Sequence, residues 1–217
     1  MHLYRFDAIV FDFDGTLVQS NKIKTWAFGD LYKEHGEKIV QKIIDYNKEH
    51  EGIPRFVKFR YWHENFLGKP YTKEIGEKLS RNYTKLVFDG VVQAPYVEGA
   101  LEFLKKNYQH IPLFVASGTP EPELREIIKH RSIPHFFQGV YGSPATKKEI
   151  LQGIIAKRQL YPKQVLMVGD ALTDWEGAQS VGAEFIGMQS GNSSNIFPPT
   201  KILLNNFNEL DKCVYQN

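Results

Sequence analysis

Short apolar runs, each closed by a polar or glycine-bearing turn and followed by a helical pattern, recur along this chain and leave it few architectures. The first run spans residues 7–13, is rich in β-branched and aromatic side chains, and ends at Asp14 and Gly15. Similar runs cover residues 111–116, 164–168 and 184–188, with weaker candidates at 139–141 and 202–204. Runs this short and this apolar fit strands buried on both faces of a parallel sheet. The stretches between them have helical spacing. Residues 97–108 repeat apolar positions at Ala100, Leu101, Phe103 and Leu104. Residues 121–131 follow Thr119 and Pro120, read as a cap and a helix-opening proline. Residues 147–158 place Ile150, Leu151, Ile154 and Ile155 on one face, and residues 172–181 close at Gly182. Strands alternating with helices of this length imply βαβ units and a doubly wound parallel sheet.

The segment between the first two runs breaks that rhythm. It has no convincing strand and reads as helices over residues 23–35, 37–49, 55–67 and 73–87, interrupted at Gly36, at Gly52 to Pro54 and at Gly68 to Pro70. The expected fold class is therefore α/β: a Rossmann-like doubly wound parallel sheet core, residues 1–18 and 91–217, carrying an inserted all-helical cap, residues 19–90. Ligands of such sheets bind at the carboxyl ends of the strands, where an insert at this point would sit.

Composition narrows the function classes. The 27 Lys and Arg residues nearly balance 25 Asp and Glu, for a net charge of +2, which gives no electrostatic case for nucleic acid. No stretch approaches the roughly 20 apolar residues of a membrane helix. The single cysteine, Cys213, cannot form an internal disulfide. A cytoplasmic location, and a monomer or homodimer acting on a small molecule, are the expectations.

The chemistry concentrates where the first run ends. Alternation along a strand lets Asp12 and Asp14 point to one side as the chain leaves the sheet. Two carboxylates this close, in an apolar setting, are not comfortably ionised together without a cation. Mg2+ suits them, because it prefers oxygen ligands and takes one or two carboxylates together with substrate phosphate.

Asp12, Asp14, Gly15 and Thr16 after an apolar strand form the first motif of the haloacid dehalogenase-like hydrolases, which the chain resembles along its whole length, in the phosphoglycolate phosphatase-like branch with a helical cap. Ser117, Gly118 and Thr119 follow the second core strand, Lys147 opens a helix, and Gly169, Asp170 and Asp174 follow the strand at 165–168, in that family's motif order. The resemblance implies that Asp12 is the nucleophile and forms an aspartyl-phosphate. It implies that Asp14 is the acid for the leaving alcohol and then the base for water, while its backbone carbonyl binds the metal. Ser117 and Gly118 are implied to hold phosphate oxygens, and Lys147, with Lys148 as its neighbour and alternative, to offset their charge. Asp12, Asp14, Asp170 and Asp174 make up the implied metal site. Dehalogenases of the superfamily lack the second aspartate, so Asp14 points to phosphoryl chemistry.

The expected activity is magnesium-dependent hydrolysis of a small phosphomonoester, a sugar phosphate or a phosphoglycolate-like metabolite. A phosphohexomutase shares all four motifs and stands as the alternative. A phosphorylatable receiver-like signalling module is shorter and lacks a helical insert, and an idle scaffold would be expected to have lost Asp12 or Asp14. In the cap, Arg55, with Lys58, is expected to reach an anionic substrate. A basic solvated helix face is the plainer reading of the same residues. Asn21 and Lys22 are expected at the entrance.

Overall fold

The computed structural model describes residues 4–189, 196–198 and 202–215; the rest of the expected core span, with the first three residues, lies outside them. Among the described residues a six-stranded sheet is formed by β1 (Ala8–Phe11), β2 (Leu113–Pro120), β3 (Gly139–Ser143), β4 (Val165–Gly169), β5 (Glu184–Met188) and β6 (Ile202–Leu204). Its order is β3-β2-β1-β4-β5-β6 and every pairing is parallel. All four residues of β1 are fully buried. Alternation then divides them: Ile9 and Phe11 join one apolar cluster, Ala8 and Val10 the other. The first cluster contains Phe103, Leu124, Ile127 and Leu210, from α5 (Ala100–Asn107), α6 (Glu121–His130) and α9 (Phe207–Val214). The second contains Ile150, Leu151, Ile154 and Ala178, from α7 (Lys147–Arg158) and α8 (Leu172–Val181). The sheet is thus covered on both faces. Strand order reverses beside β1, and the crevice at that point is where an open α/β sheet receives a ligand.

Between β1 and β2 the chain makes four α-helices: α1 (Asn21–Leu31), α2 (Glu37–Glu49), α3 (Arg55–Asn65) and α4 (Lys73–Gln93). They pack around an aromatic interior. Phe28 stacks on Tyr83 at 4.2 Å and meets Trp62 edge-on at 5.1 Å, with Tyr32 and Phe59 beside them. No helix among the described residues is long and apolar enough to cross a membrane.

The structure departs from the sequence expectations at several points. The fourth inserted helix runs to Gln93 instead of ending at residue 87, passing through Asp89 and Gly90. A glycine inside a helix costs about 1 kcal/mol. Here α1 packs so closely that a Cβ at position 90 would stand 3.0 Å from Ile23 Cγ2, and fully buried Val91 anchors the extra turn. The strand expected at 111–116 instead covers Leu113–Pro120, with an irregularity between Ser117 and Pro120. Helix α9 was not expected, although Phe207, Leu210 and Val214 supply an apolar stripe and Asn206 caps it by accepting from Glu209 N–H at 3.1 Å.

Candidate functional site

Asp12 is the first residue beyond β1. Its N–H donates to Val168 C=O on β4 at 2.9 Å, and its own Oδ1 accepts the Phe13 N–H at 2.7 Å. These bonds fix the carboxylate at the mouth of the sheet, only 4% exposed. The chain then turns at Gly15, whose φ of 82° lies in the left-handed region. A side chain there would also run into the Asp170 carboxylate and the Asn21 amide. Asp170 is held from both sides: Thr16 Oγ1 donates to its Oδ1 at 2.9 Å and Asn21 Nδ2 to its Oδ2 at 2.9 Å. Asp174 sits in the first turn of α8, completely buried, and accepts the Ala171 N–H at 3.0 Å.

Asp12, Asp170 and Asp174 thereby present carboxylate oxygens all within 4.8 Å of one another. Opposite them is Lys147, placed at the first position of α7 by a capping box between Thr146 and Glu149. Its Nζ lies 3.0 Å from Asp12 Oδ2 and is also paired with Asp174. Burial opposes the charge on Lys147, but the two carboxylates more than offset it and hold the ammonium above its usual range. One lysine does not satisfy three acids. Burial, then the Asp12 and Asp174 charges, pushes Asp170 well above the usual carboxylate range. Asp174 is pushed up to about 7 by burial, which Lys147 only partly counters. Lys148, the alternative considered from sequence, is exposed and takes no part.

Asp14 points away from this cluster. Its Oδ1 accepts from Ser20 Oγ at 2.6 Å; its Oδ2 accepts from Thr119 Oγ1 at 3.0 Å and pairs with Lys24 Nζ. Lys24 donates as well to Thr119 Oγ1 at 2.7 Å. Burial works against ionisation of Asp14, but Lys24 beside it, with bonds from Lys24, Ser20 and Thr119, holds the carboxyl below its usual range. Thr119 is therefore not the helix cap expected from sequence. The N-cap of α6 is Pro120, without a side-chain bond, and the Thr119 hydroxyl serves Asp14 instead.

Ser117, at the end of β2, is 2% exposed; its Oγ accepts the Thr119 N–H at 3.1 Å, which leaves the hydroxyl proton free to donate. A Cβ on Gly118 would stand 2.7 Å from the Gly52 carbonyl oxygen, so only glycine allows the α2–α3 loop to approach this strand end. Ser117 and Gly118, with Asp12, Asp14, Thr119 and Asp170, line the floor of a cavity of about 70 Å³.

The helical insert forms the roof. Asn21, Lys24, Asn47, Glu51, Arg55, Lys58 and Tyr83 line it; Lys22, expected at the entrance, is exposed and does not. Arg55 requires a correction. It lines the cavity, but its guanidinium is engaged elsewhere: Nη1 and Nη2 donate to the two Glu123 oxygens on α6 at 2.7 and 2.6 Å, and Nη1 to Thr84 Oγ1 on α4 at 2.9 Å. It also lies over the Tyr83 ring at 4.6 Å. A two-pronged partner for a substrate anion is therefore not what Arg55 offers in this arrangement. Lys58 does face the cavity, 4% exposed, with its Nζ donating to Asn47 Oδ1 at 2.7 Å. Sequence reasoning missed Ser20, Lys24, Asn47 and Glu123. Only Ser20 and Lys24, on the same face one turn apart just past the first motif, left a usable signal.

Comparison with known proteins agrees with this geometry. The family model for haloacid dehalogenase-like hydrolases matches residues 9–188. A phosphoglycolate phosphatase of Mannheimia succiniciproducens is 26% identical over 214 residues, covering 88% of this chain and 89% of that protein. Among solved structures, one described as a predicted phosphoglycolate phosphatase from Haemophilus somnus 129pt superposes with a TM-score of 0.77 at 22% identity, covering 96% of this chain and 98% of that one. A β-phosphoglucomutase from Clostridium difficile does so with a TM-score of 0.75 at 18% identity, covering 94% and 93%. At these identities the structural matches speak for the fold alone.

Proposed function

The chain belongs to the haloacid dehalogenase-like hydrolases and is a phosphoric monoester hydrolase, and on that premise we propose that it moves the phosphoryl group of a small phosphomonoester first to Asp12 and then to water. The observation that carries this reading is the pairing at the strand ends: Asp12, fixed by two backbone bonds with Lys147 Nζ 3.0 Å away, faces the same cavity as Ser117 and Gly118. An Asp12 oxygen attacks phosphorus as the bond to the leaving alcohol oxygen breaks, and that oxygen takes a proton from Asp14. Water then attacks phosphorus, giving its proton to Asp14 and releasing inorganic phosphate and the Asp12 carboxylate. The donors around Asp14 favour its ionised form, which the second step needs. Protonation for the first step requires Lys24 to withdraw from Oδ2. Ser117 Oγ, Gly118 N–H and Lys147 hold the charge on the transferring oxygens.

The acidic cluster fits a hard divalent cation. Its donors are all oxygens, and burial first, then repulsion between the carboxylates, raises Asp170 and Asp174 in spite of Lys147. Mg2+ would be held by the Asp12 and Asp170 carboxylates and the Asp14 backbone carbonyl, with Asp174 in support. When bound, such an ion neutralises and orients the phosphoryl oxygens. The substrate class is a short phosphomonoester such as phosphoglycolate. In this reading residues 19–90 act as the cap and the rest as the core, α4 carrying the boundary on to Gln93.

The test is phosphate release from a metabolite panel, with magnesium and with chelator, by wild type and Asp12→Asn. Activity should vanish in chelator, return with magnesium, and fall at least about 10³-fold in the variant. Retention of a tenth of wild-type turnover by Asp12→Asn would refute the covalent route.

A further inference from the structure

The cations around the cavity are not equivalent. Lys147 is paired with Asp12 and Asp174, Lys24 with Asp14, and Arg55 with Glu123. Lys58, as buried as any of them, has no ion pair among the described residues. Its Nζ gives one hydrogen bond, to Asn47 Oδ1, and lies 5.5 Å over the Phe28 ring. An ammonium has three N–H donors, so two remain to be satisfied at the roof of the cavity.

This placement is built. Asn47 is itself 4% exposed, and its Nδ2 donates to Thr25 Oγ1 at 2.9 Å, which fixes Oδ1 as the atom turned to Lys58. Thr25, Asn47 and Lys58 come from α1, α2 and α3, so three helices converge to hold one amine. Glu51, which also lines the cavity, stays beyond ion-pair distance and is pushed towards its neutral form by burial. A buried amine with spare donors, whose nearest acid, Glu51, is not within ion-pair distance and is pushed towards neutrality by burial, is a site for an anion brought from outside.

We propose that Lys58 is the specificity-determining residue of the cap, and that its ammonium binds a carboxylate carried by the substrate a few bonds from the reacting phosphoryl. The proposal rests on the phosphatase reading above and deepens it by naming the second charged end of the substrate. A carboxylate is preferred over a second phosphoryl group because Arg55, the group suited to a fork-shaped contact with phosphate, is engaged with Glu123. Asn47 is a positioning residue, acting through Lys58.

The experiment compares three substrates on the magnesium-loaded enzyme: 2-phosphoglycolate, its analogue without the carboxylate, 2-hydroxyethyl phosphate, and p-nitrophenyl phosphate. Wild type should favour phosphoglycolate over hydroxyethyl phosphate in kcat/KM by about 10- to 100-fold, the worth of a hydrogen-bonded charge pair. In Lys58→Met that preference should collapse to within about threefold of parity, chiefly through KM for phosphoglycolate. Asn47→Leu should lose part of the preference, also in KM. Should Lys58→Met not fold, the wild-type comparison alone decides, because a wild type without the preference overturns the proposal. Equal losses on all three substrates in a folded variant would also overturn it, assigning Lys58 to cap structure. Absence of phosphate release even from p-nitrophenyl phosphate would instead sink the phosphatase reading.

Discussion

The floor of the cavity and its roof both carry charge, but the floor collects it on strand ends and the roof collects it on helices. On the floor, Asp12, Ser117, Gly118 and Asp170 lie within one or two residues of β1, β2 and β4, and neighbouring strands fix their spacing through backbone bonds. On the roof, Lys24, Asn47, Arg55 and Lys58 sit on three different helices and are placed by side-chain packing around Phe28, Phe59, Trp62 and Tyr83. A strand end can alter little without unmaking the sheet. A helix face can exchange one side chain and keep its fold. The chemistry proposed for the floor and the selection proposed for the roof follow that difference.

The comparison breaks most visibly at Asp14, which belongs to the floor but is held partly from the roof. Asp14→Asn should slow turnover of alkyl phosphates by about 10²- to 10⁴-fold. The loss should be smaller in the phosphorylation step for an aryl phosphate, whose leaving group needs no proton. Rapid-quench measurement of that step separates the two, and equal losses would remove Asp14 from the acid role.

A smaller effect is expected at the seam between roof and floor. The Arg55 and Glu123 side chains are 4% and 8% exposed. Removing either partner strands a buried charge, so Arg55→Ala should lower stability by about 3 kcal/mol or more. Thr84 Oγ1 donates to Glu123 at 2.5 Å, so Glu123→Gln should disturb both neighbours. Urea denaturation of the two single variants and the double variant reads the coupling; a double mutant that loses the sum of both singles would show that the pair does not act as a unit.

The smallest effect sharpens the contrast through pH. Burial brings Lys58 down to about 7, Glu51 partly offsetting this and Lys24 adding to it. Between about 7 and the usual lysine value the unfolded chain binds a proton that the folded chain does not. Stability should therefore rise with pH across that window, on the order of 1 kcal/mol per unit. Lys58→Met should flatten the slope. Asp170 and Asp174 act in the opposite sense, since they are raised in the fold and the unfolded chain releases their protons first. Thermal melts from pH 7.5 to 9.5 test this, and identical slopes for the two proteins would contradict it.

The same contrast explains what could be read from the sequence. The parallel sheet and the residues that meet at its mouth were legible because each lies in a short contiguous motif beside an apolar run. Lys147 could be told from Lys148 only by structure, since both follow Thr146 and only the capping box decides which turns inward. Thr119 read as a cap because local patterning says so; its actual partner, Asp14, is 105 residues away. Arg55 was expected to reach a substrate anion, but Glu123, 68 residues on, is what its guanidinium meets. Helix α4 continued past Gly90 because a neighbour, Ile23, packs against the glycine, a reason invisible in the segment itself.

The joint between Arg55 and Glu123 has a consequence for the protein's behaviour in crowded solution. The joint ties the helical insert to the core, so any separation of the two parts it. What such a separation uncovers at the joint itself is a guanidinium and a carboxylate, both readily hydrated. Exposed apolar patches are what drive molecules to adhere. A joint faced with charge therefore adds no apolar patch where it opens.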